Sequence, residues 1–191
     1  MKQKSRLFPY VLCALFAAFT AVCSQIMVPL PFTPVPINLA LLAVWICGGI
    51  LGPKKGAIAI IVYILLGAVG VPVFVGFNAG LGALAGPTGG YILGYLPSAV
   101  VFGLFVRRGF FVDRGKLTAS GFLLTVVKGL PAMAVCYAVG TAWFMAVMGV
   151  GLFEALVLCV IPFIAGDVLK IAAAIGVCEA LRKPLKEFLN N

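Results

Sequence analysis

Two ionisable residues, Asp167 and Lys170, interrupt the last long apolar segment of the chain and are the first candidates for chemistry. Their spacing of three places both side chains on one face of a helix. A charge at the centre of a bilayer costs about 2.5–3.5 kcal/mol on insertion scales, so such groups usually pair, face a cavity and carry function. Asp167 is expected in the first turn of its helix, where the dipole favours negative charge. The pair offers a ligand an acceptor and a donor; the alternative is a structural ion pair that fixes helix packing.

A second candidate is the glycine-rich stretch of residues 76–94, GFNAGLGALAGPTGGYILG. It contains one amide side chain, Asn78, and no ionised group, and long apolar segments flank it. Glycine gives the backbone positive-φ options and lets other groups approach closely. In a membrane, irregular backbone survives only where protein buries it or where it lines a cavity. We interpret the stretch as the wall of a small-molecule site; the alternative is an ordinary turn between two helices.

The composition predicts the class of protein that must position these residues. The 191 residues are 63% hydrophobic and 10% charged, with a mean hydropathy of +1.20. Soluble domains are about 45–50% apolar and about 25% charged. We therefore expect an all-α, polytopic membrane protein with one transmembrane domain over residues 1–191. No G-x-x-x-x-G-K-[ST] loop is present, so an ATPase would have to be a separate subunit.

Catalytic and metal chemistry are poorly supported. The chain has no histidine, which removes His-based acid–base catalysis and His metal ligation. Its six cysteines are scattered through apolar segments without a C-x-x-C pair, so we expect buried small apolar side chains rather than disulfides or metal ligands.

The net charge of +9 is distributed in a membrane pattern rather than in a nucleic-acid-binding patch. Of the 14 basic residues, 12 fall in four short clusters, and the connections between those clusters alternate with connections that lack Lys and Arg. This is the positive-inside pattern. The clusters are Lys2, Lys4 and Arg6; Lys54 and Lys55; Arg107, Arg108, Arg114 and Lys116; and Arg182, Lys183 and Lys186.

The alternation predicts a six-helix topology with both termini cytoplasmic. The predicted spans are residues 7–28, 37–51, 56–75, 88–106, 117–145 and 163–181. Four prolines within residues 29–36 exclude a helix there and predict an extended external loop. Residues 152–161 are too short to span and predict a re-entrant or interfacial helix, after which Pro162 starts the last span. The alternative is one long helix kinked at Pro162.

Three further features of the helices are open to two interpretations each. Ala14 and Ala18 lie four apart on the first helix, a spacing that allows another helix to approach closely or that reflects plain helix-forming alanine. Lys128 lies inside the fifth span with either a structural or a site role. Glu154 is the one charge in the predicted re-entrant segment, and its role is open.

Five motifs resemble a known family. They are PVPI at residues 34–37, GPKKGA at 52–57, GAVGVPVF at 67–74, GPTGGY at 86–91 and PFIAGDVLK at 162–170. Together the chain resembles the biotin-specific S components, the BioY family, of energy-coupling factor (ECF) transporters. The resemblance covers most of the chain, and GPTGGY and PFIAGDVLK are its most specific parts.

The resemblance implies a six-helix subunit of the cell membrane that captures biotin from outside, with a T component and two ATPases driving release inside. It implies no enzymatic activity, cofactor, metal or nucleic-acid partner, and it places the T component against Ala14 and Ala18. Asn78, Tyr91, Asp167 and Lys170 map onto substrate-binding positions. The neighbouring pocket wall comprises Gly82, Gly86, Thr88, Gly89 and Gly90.

The physical reading of the polar residues agrees with this implication. The ureido ring of biotin has two N–H donors and one carbonyl acceptor, which match a carboxylate and an ammonium or amide donor. Some members carry a basic residue just after the GPTGGY-type motif, whereas this chain has Ile92, so the partner of the biotin carboxylate stays open. An S component for another small vitamin and, more weakly, a membrane enzyme that uses Asp167, Lys170 or Glu154 remain as alternatives.

Overall fold

The structure, a computed structural model, describes residues 4–107 and 119–190, and within this part of the chain it is almost entirely helical. Long apolar segments form helices because a backbone in hydrocarbon must satisfy its own hydrogen bonds. The elements, in order, are α1 (Lys4–Gln25), β1 (Met27–Val28), β2 (Ile37–Asn38), α2 (Ala40–Ala68), a single 3-10 turn (Val75–Phe77), α3 (Gly80–Ala85), α4 (Gly89–Arg107), α5 (Ala119–Met148), α6 (Leu152–Cys159) and α7 (Ile164–Asn190).

Helix α2 is a hairpin of two arms, residues 40–51 and 53–68. Gly52 breaks it with φ 79° and ψ 174°, a conformation that glycine tolerates, and Pro53 follows. A Cβ atom built on Gly56 would lie 2.9 Å from Cα of Gly48. Residues eight apart in an unbroken helix are separated by about 12 Å, so the arms must fold back on each other. The two arms are the predicted second and third spans.

The two arms form the centre of the bundle. They pack against α1, α4 and α7, while α4 also packs along α5. Trp45 stacks on Phe102 with ring centroids 6.0 Å apart, and its indole Nε1 donates to Ser98 Oγ at 2.9 Å. Ser98 in turn donates to the carbonyl of Ala132 at 2.7 Å. These bonds join α2, α4 and α5 through polar atoms that would otherwise be buried without partners.

Two glycines of α4, Gly90 and Gly94, lie where α4 and α5 approach closely. A Cβ atom built on Gly90 would collide with the Cβ of Trp143, and one on Gly94 would lie 3.1 Å from the carbonyl oxygen of Cys136. Small residues at these positions let the two backbones come together.

The helices have the length and apolarity of membrane spans. Among the described residues, three helices qualify by length and composition, at Leu7–Gln25, Ala40–Ala68 and Val126–Met148. A fourth is the pair Leu152–Cys159 and Ile164–Leu181, bent by 54°. Counting both arms of α2 and the shorter α4, the six-helix expectation is met by α1, two α2 arms, α4, α5 and α7. The protein is a multi-pass membrane protein.

Several boundaries differ from the sequence expectation. The first helix ends at Gln25, and a short antiparallel ladder, with Met27 opposite Asn38 and Val28 opposite Ile37, closes the proline loop at its base. Helix α2 ends at Ala68, seven residues before the predicted end at 75, because Gly70 adopts φ 106° and Pro72 follows. Residue 117 and the cluster residues Lys2, Arg108, Arg114 and Lys116 lie outside the described part of the chain.

The segment before the last span forms a separate short helix, as predicted. Helix α6 ends at Cys159, residues 160–163 form a turn, and α7 begins at Ile164. Pro162 lies in the turn, two residues before the first helical position, so the prediction that Pro162 starts the last span is wrong. The two helices are bent by 54° relative to each other, so the segment is not one continuous helix.

Candidate binding site

A cavity of about 240 Å³ lies at the end of the bundle where the proline loop and the glycine stretch meet. Its walls come from the proline loop, β2, the glycine stretch and helices α4 to α7, and they are mostly apolar or aromatic. Asp167 and Lys170 are the only ionised side chains among its described lining residues. An apolar cavity with a few convergent polar groups is the usual form of a small-molecule site. Its other polar lining residues are Asn38, Asn78, Thr88, Tyr91, Tyr95, Cys136, Tyr137 and Cys159.

Asp167 is the polar centre of this cavity. It lies in the first turn of α7, where its backbone N–H donates to the carbonyl of Phe163 at 2.8 Å. The residue is 4% exposed, and its carboxylate binds two donors, Lys170 Nζ to Oδ1 at 2.6 Å and the Tyr137 hydroxyl to Oδ2 at 2.6 Å. The negative charge is thus paired and hydrogen-bonded, which burial requires. Each carboxylate oxygen can accept a further bond, and the ammonium has further N–H groups to donate.

Asn78 reaches the cavity from the loop before α3. Its Nδ2 donates to the carbonyl of Val75 at 2.8 Å, and its backbone carbonyl accepts from the N–H of Phe74 at 3.1 Å. The loop therefore orients the amide at the rim. A side-chain amide has a second N–H and a carbonyl oxygen, so one Asn can serve a ligand as donor and acceptor.

Tyr91 lines the cavity with its ring, and its hydroxyl joins three helices. The hydroxyl lies 3.3 Å from Thr141 Oγ1 in α5 and donates to the carbonyl of Cys159 in α6 at 3.2 Å. The ring covers Gly140, where a Cβ atom would collide with it. Tyr91 can therefore shape the wall and hold α6 in place at once.

The five residues predicted for the pocket wall divide into two groups. Gly86 and Thr88 line the cavity. Gly82, Gly89 and Gly90 do not: Gly82 is exposed on α3, Gly89 faces the carbonyl of Leu84 and Gly90 faces Trp143. These three glycines serve the turn and the helix packing that position the wall. Contact of the remaining predicted residues with a ligand stays a prediction.

Tyr137 is the site residue that the sequence reasoning missed. It lies on α5, 30 residues before Asp167, so no local sequence motif contains both residues. The available signal was a tyrosine in the middle of an apolar span, because a buried tyrosine hydroxyl usually finds a polar partner.

The remaining candidates lie away from the cavity. Ala14 and Ala18 are exposed on the outside of α1, whereas Ala17 between them is buried. Lys128 is half-buried on α5, and Glu154 is exposed in the first turn of α6. Within residues 4–107 and 119–190, no group of three His, Cys, Asp or Glu side chains could hold a metal ion.

A second cavity, of about 250 Å³, adjoins the first on the side of the proline loop. The two share Pro36, Val75, Asn78 and Thr88 in their linings. Residues 27–36 form its other wall together with Gly76. The shared residues therefore form the rim between the inner cavity and the loop region.

Comparison with known proteins identifies the family. The sequence matches the BioY family over residues 1–187. It is 39% identical over 171 residues to the probable biotin transporter BioY of Pyrococcus horikoshii, covering 90% of this chain and 94% of the relative. It is 37% identical over 182 residues to the biotin transporter BioY of Rhizobium etli, covering 92% and 94%.

A solved structure agrees with the sequence relatives. The S-component for biotin from an ECF-type ABC transporter superposes with a TM-score of 0.81 at 26% identity, covering 96% of this chain and 95% of the other. The family match, the sequence relatives and the solved structure agree: the chain belongs to the BioY family.

Proposed function

We propose that this chain is the biotin-capturing S component of an ECF-type uptake transporter. The relatives named as biotin transporters and the structural match to a biotin S-component support the ligand and the role. The single observation in this chain that carries the proposal is the buried Asp167 carboxylate, held between Tyr137 and Lys170 inside a mostly apolar cavity.

The ureido ring is the part of biotin that suits this polar centre. A ureido N–H can donate to Asp167, and charge-assisted bonds in a water-excluded site are the strong ones. Lys170 or the Asn78 amide can donate to the ureido carbonyl. The thiophane ring and the valeryl chain then contact the apolar and aromatic walls, where their burial contributes about 25 cal/mol per Å² of apolar surface.

The biotin carboxylate meets no second cation in the described lining of the cavity. Lys170 is the one basic side chain there, and it is paired with Asp167. Ile92 lines the wall at the position where some family members have a basic residue. Backbone N–H groups of the glycine stretch are candidate donors for the carboxylate.

The family and the structural match are those of a transporter subunit, which excludes the enzyme alternative. A transporter subunit of this class works with a T component and two ATPase subunits in the cell membrane. The exposed strip of Ala14 and Ala18 on α1 is the surface that we assign to the T component. The whole chain, residues 1–191, acts as one transmembrane domain.

Calorimetric titration of the purified, detergent-solubilised protein with biotin tests the proposal. We expect saturable binding without ATP, and no competition by riboflavin or thiamine. Absence of biotin binding by folded protein would reject the ligand, and displacement by another vitamin would support the alternative S-component assignment.

A further inference from the structure

The end of α1 is hydrogen-bonded to the loop that carries Asn78. The Ser24 hydroxyl is fully buried and lies 2.6 Å from the carbonyl oxygen of Val73 and 2.7 Å from that of Ala21. Gln25 Nε2 donates to the carbonyl of Phe74 at 3.0 Å and lies 3.2 Å from that of Val73. Two adjacent α1 side chains thus fix the first half of this loop.

The second half of the loop is fixed by the other end of the same amide. Gln25 Oε1 accepts a hydrogen bond from the backbone N–H of Phe77 at 2.9 Å. Phe77 is the one described non-glycine residue with positive φ, at 59°, and its side chain is 70% exposed. A left-handed backbone is costly for a bulky residue and persists where its surroundings enforce it. Because Phe77 is so exposed, packing does not enforce this conformation. Within the loop, Asn78 bonds to Phe74 and Val75, and the hydrogen bond from the Phe77 N–H to Gln25 is the constraint on Phe77 that comes from outside the loop.

This constraint leads directly to the binding site. Phe74, Val75 and Asn78 of the same loop line the inner cavity, and Asn78 immediately follows Phe77. The ring of Phe74 is buried against Tyr63 and Gly67 of α2, so the loop is anchored there as well. The packing of Phe74 holds the start of the loop. Gln25, by contrast, also bonds to Phe77, the residue directly before Asn78.

We propose that Gln25 is a positioning residue for the ligand site, which holds Phe77 in its left-handed conformation and thereby sets the Asn78 amide at the cavity rim. The effect on biotin rests on the proposed function; the effect on the loop does not. We call the hydrogen bonds that join Gln25 to Phe74 and Phe77 the clamp. Without the clamp the rim of the cavity is mobile, so the ligand must order the loop when it binds, and it dissociates faster once bound.

Gln25→Leu is the test variant, because leucine has similar volume and neither donor nor acceptor. Thr20→Val is the matched control: Thr20 lies on α1 like Gln25 and is buried, and among the described residues its hydroxyl bonds within the helix, to the carbonyl of Phe16 at 2.8 Å. We expect Gln25→Leu to speed biotin dissociation roughly 5- to 160-fold, as loss of two hydrogen bonds, to the Phe74 carbonyl and from the Phe77 N–H, predicts. Thr20→Val should leave the dissociation rate within about 2-fold.

Amide hydrogen exchange of the ligand-free proteins gives a readout independent of biotin. Exchange across residues 74–78 should accelerate in Gln25→Leu and not in Thr20→Val. Phe77→Asn should partly restore slow biotin dissociation to Gln25→Leu, because asparagine adopts positive φ more readily than phenylalanine. A merely structural role of Gln25 would not respond to that second substitution.

The outcomes separate the two proposals. If the parent does not bind biotin, the proposed function fails while the exchange result still decides the clamp. If exchange in residues 74–78 is unchanged in Gln25→Leu, the clamp does not exist. If exchange accelerates but biotin dissociation does not, the loop is clamped without positioning the ligand site, and the inference is overturned.

Discussion

The Tyr137 hydroxyl donates a hydrogen bond to Oδ2 of Asp167 at 2.6 Å, and Lys170 Nζ donates to Oδ1 of the same carboxylate, also at 2.6 Å. The tyrosine and the lysine approach the carboxylate from different helices, α5 and α7. The carboxylate orientation is therefore fixed on both sides before any ligand arrives. Preorganised polar groups of this kind reduce the ordering cost of binding.

Asp167→Asn is expected to weaken biotin binding strongly. The substitution keeps the size of the side chain but removes its charge and leaves the partly buried Lys170 beside a neutral group. Loss of a buried charge-assisted partner costs about 2–5 kcal/mol, which is roughly a 30- to several-thousand-fold loss of affinity. Lys170→Met should act similarly, measured by calorimetry on folded protein. Parent-like affinity in both variants would make the pair purely structural.

Tyr137→Phe tests the third member of this group. It removes one hydroxyl without changing the ring, so Asp167 keeps Lys170 but loses its fixed orientation. A net hydrogen bond contributes about 0.5–1.5 kcal/mol, so we expect a roughly 2- to 13-fold loss of biotin affinity. Tyr10→Phe, at a tyrosine that is 64% exposed on α1, is the control and should bind like the parent. Tighter binding by Tyr137→Phe would show that the hydroxyl competes with the ligand.

The topology predicts opposite sides of the membrane for two pairs of connections. Lys54 and Arg107 should be cytoplasmic, and Pro34 and Gly80 external. We place the external label at Leu81→Cys, because Leu81 is 71% exposed whereas Gly80 has φ 82° and would be strained by a side chain. The six native cysteines are buried, so the parent is a low-background control. Labelling of Leu81→Cys only from the cytoplasmic side would contradict the six-span topology.

Ala14→Trp and Ala18→Trp test the surface assigned to the T component. Both alanines are exposed, so the isolated subunit should fold and bind biotin normally. At a close helix interface the added volume costs typically 1–3 kcal/mol by overpacking. Co-purification with the T component and ATP-driven uptake should therefore fall. The control is Leu15→Trp, on the same exposed side of α1 but outside the alanine strip. Normal assembly and uptake by the alanine variants would place the strip against lipid.

The sequence by itself determined the class of protein and the segments of its bundle. Hydropathy decides membrane residence because hydrocarbon admits only apolar, internally hydrogen-bonded segments. The break at Gly52, the separate helix before Pro162 and the shared face of Asp167 and Lys170 were also predictable. Each depends on residues a few positions apart, whose geometry the local backbone sets.

The tertiary structure decided which residues meet at the site. Tyr137 reaches Asp167 across 30 residues, and Gln25 reaches Phe77 across 52, contacts that depend on how whole helices pack. The same packing turned Gly89 and Gly90 away from the cavity although their motif neighbours Gly86 and Thr88 line it. Local sequence sets what a segment can form, but the direction of each side chain in the bundle follows from close packing between segments distant in the chain.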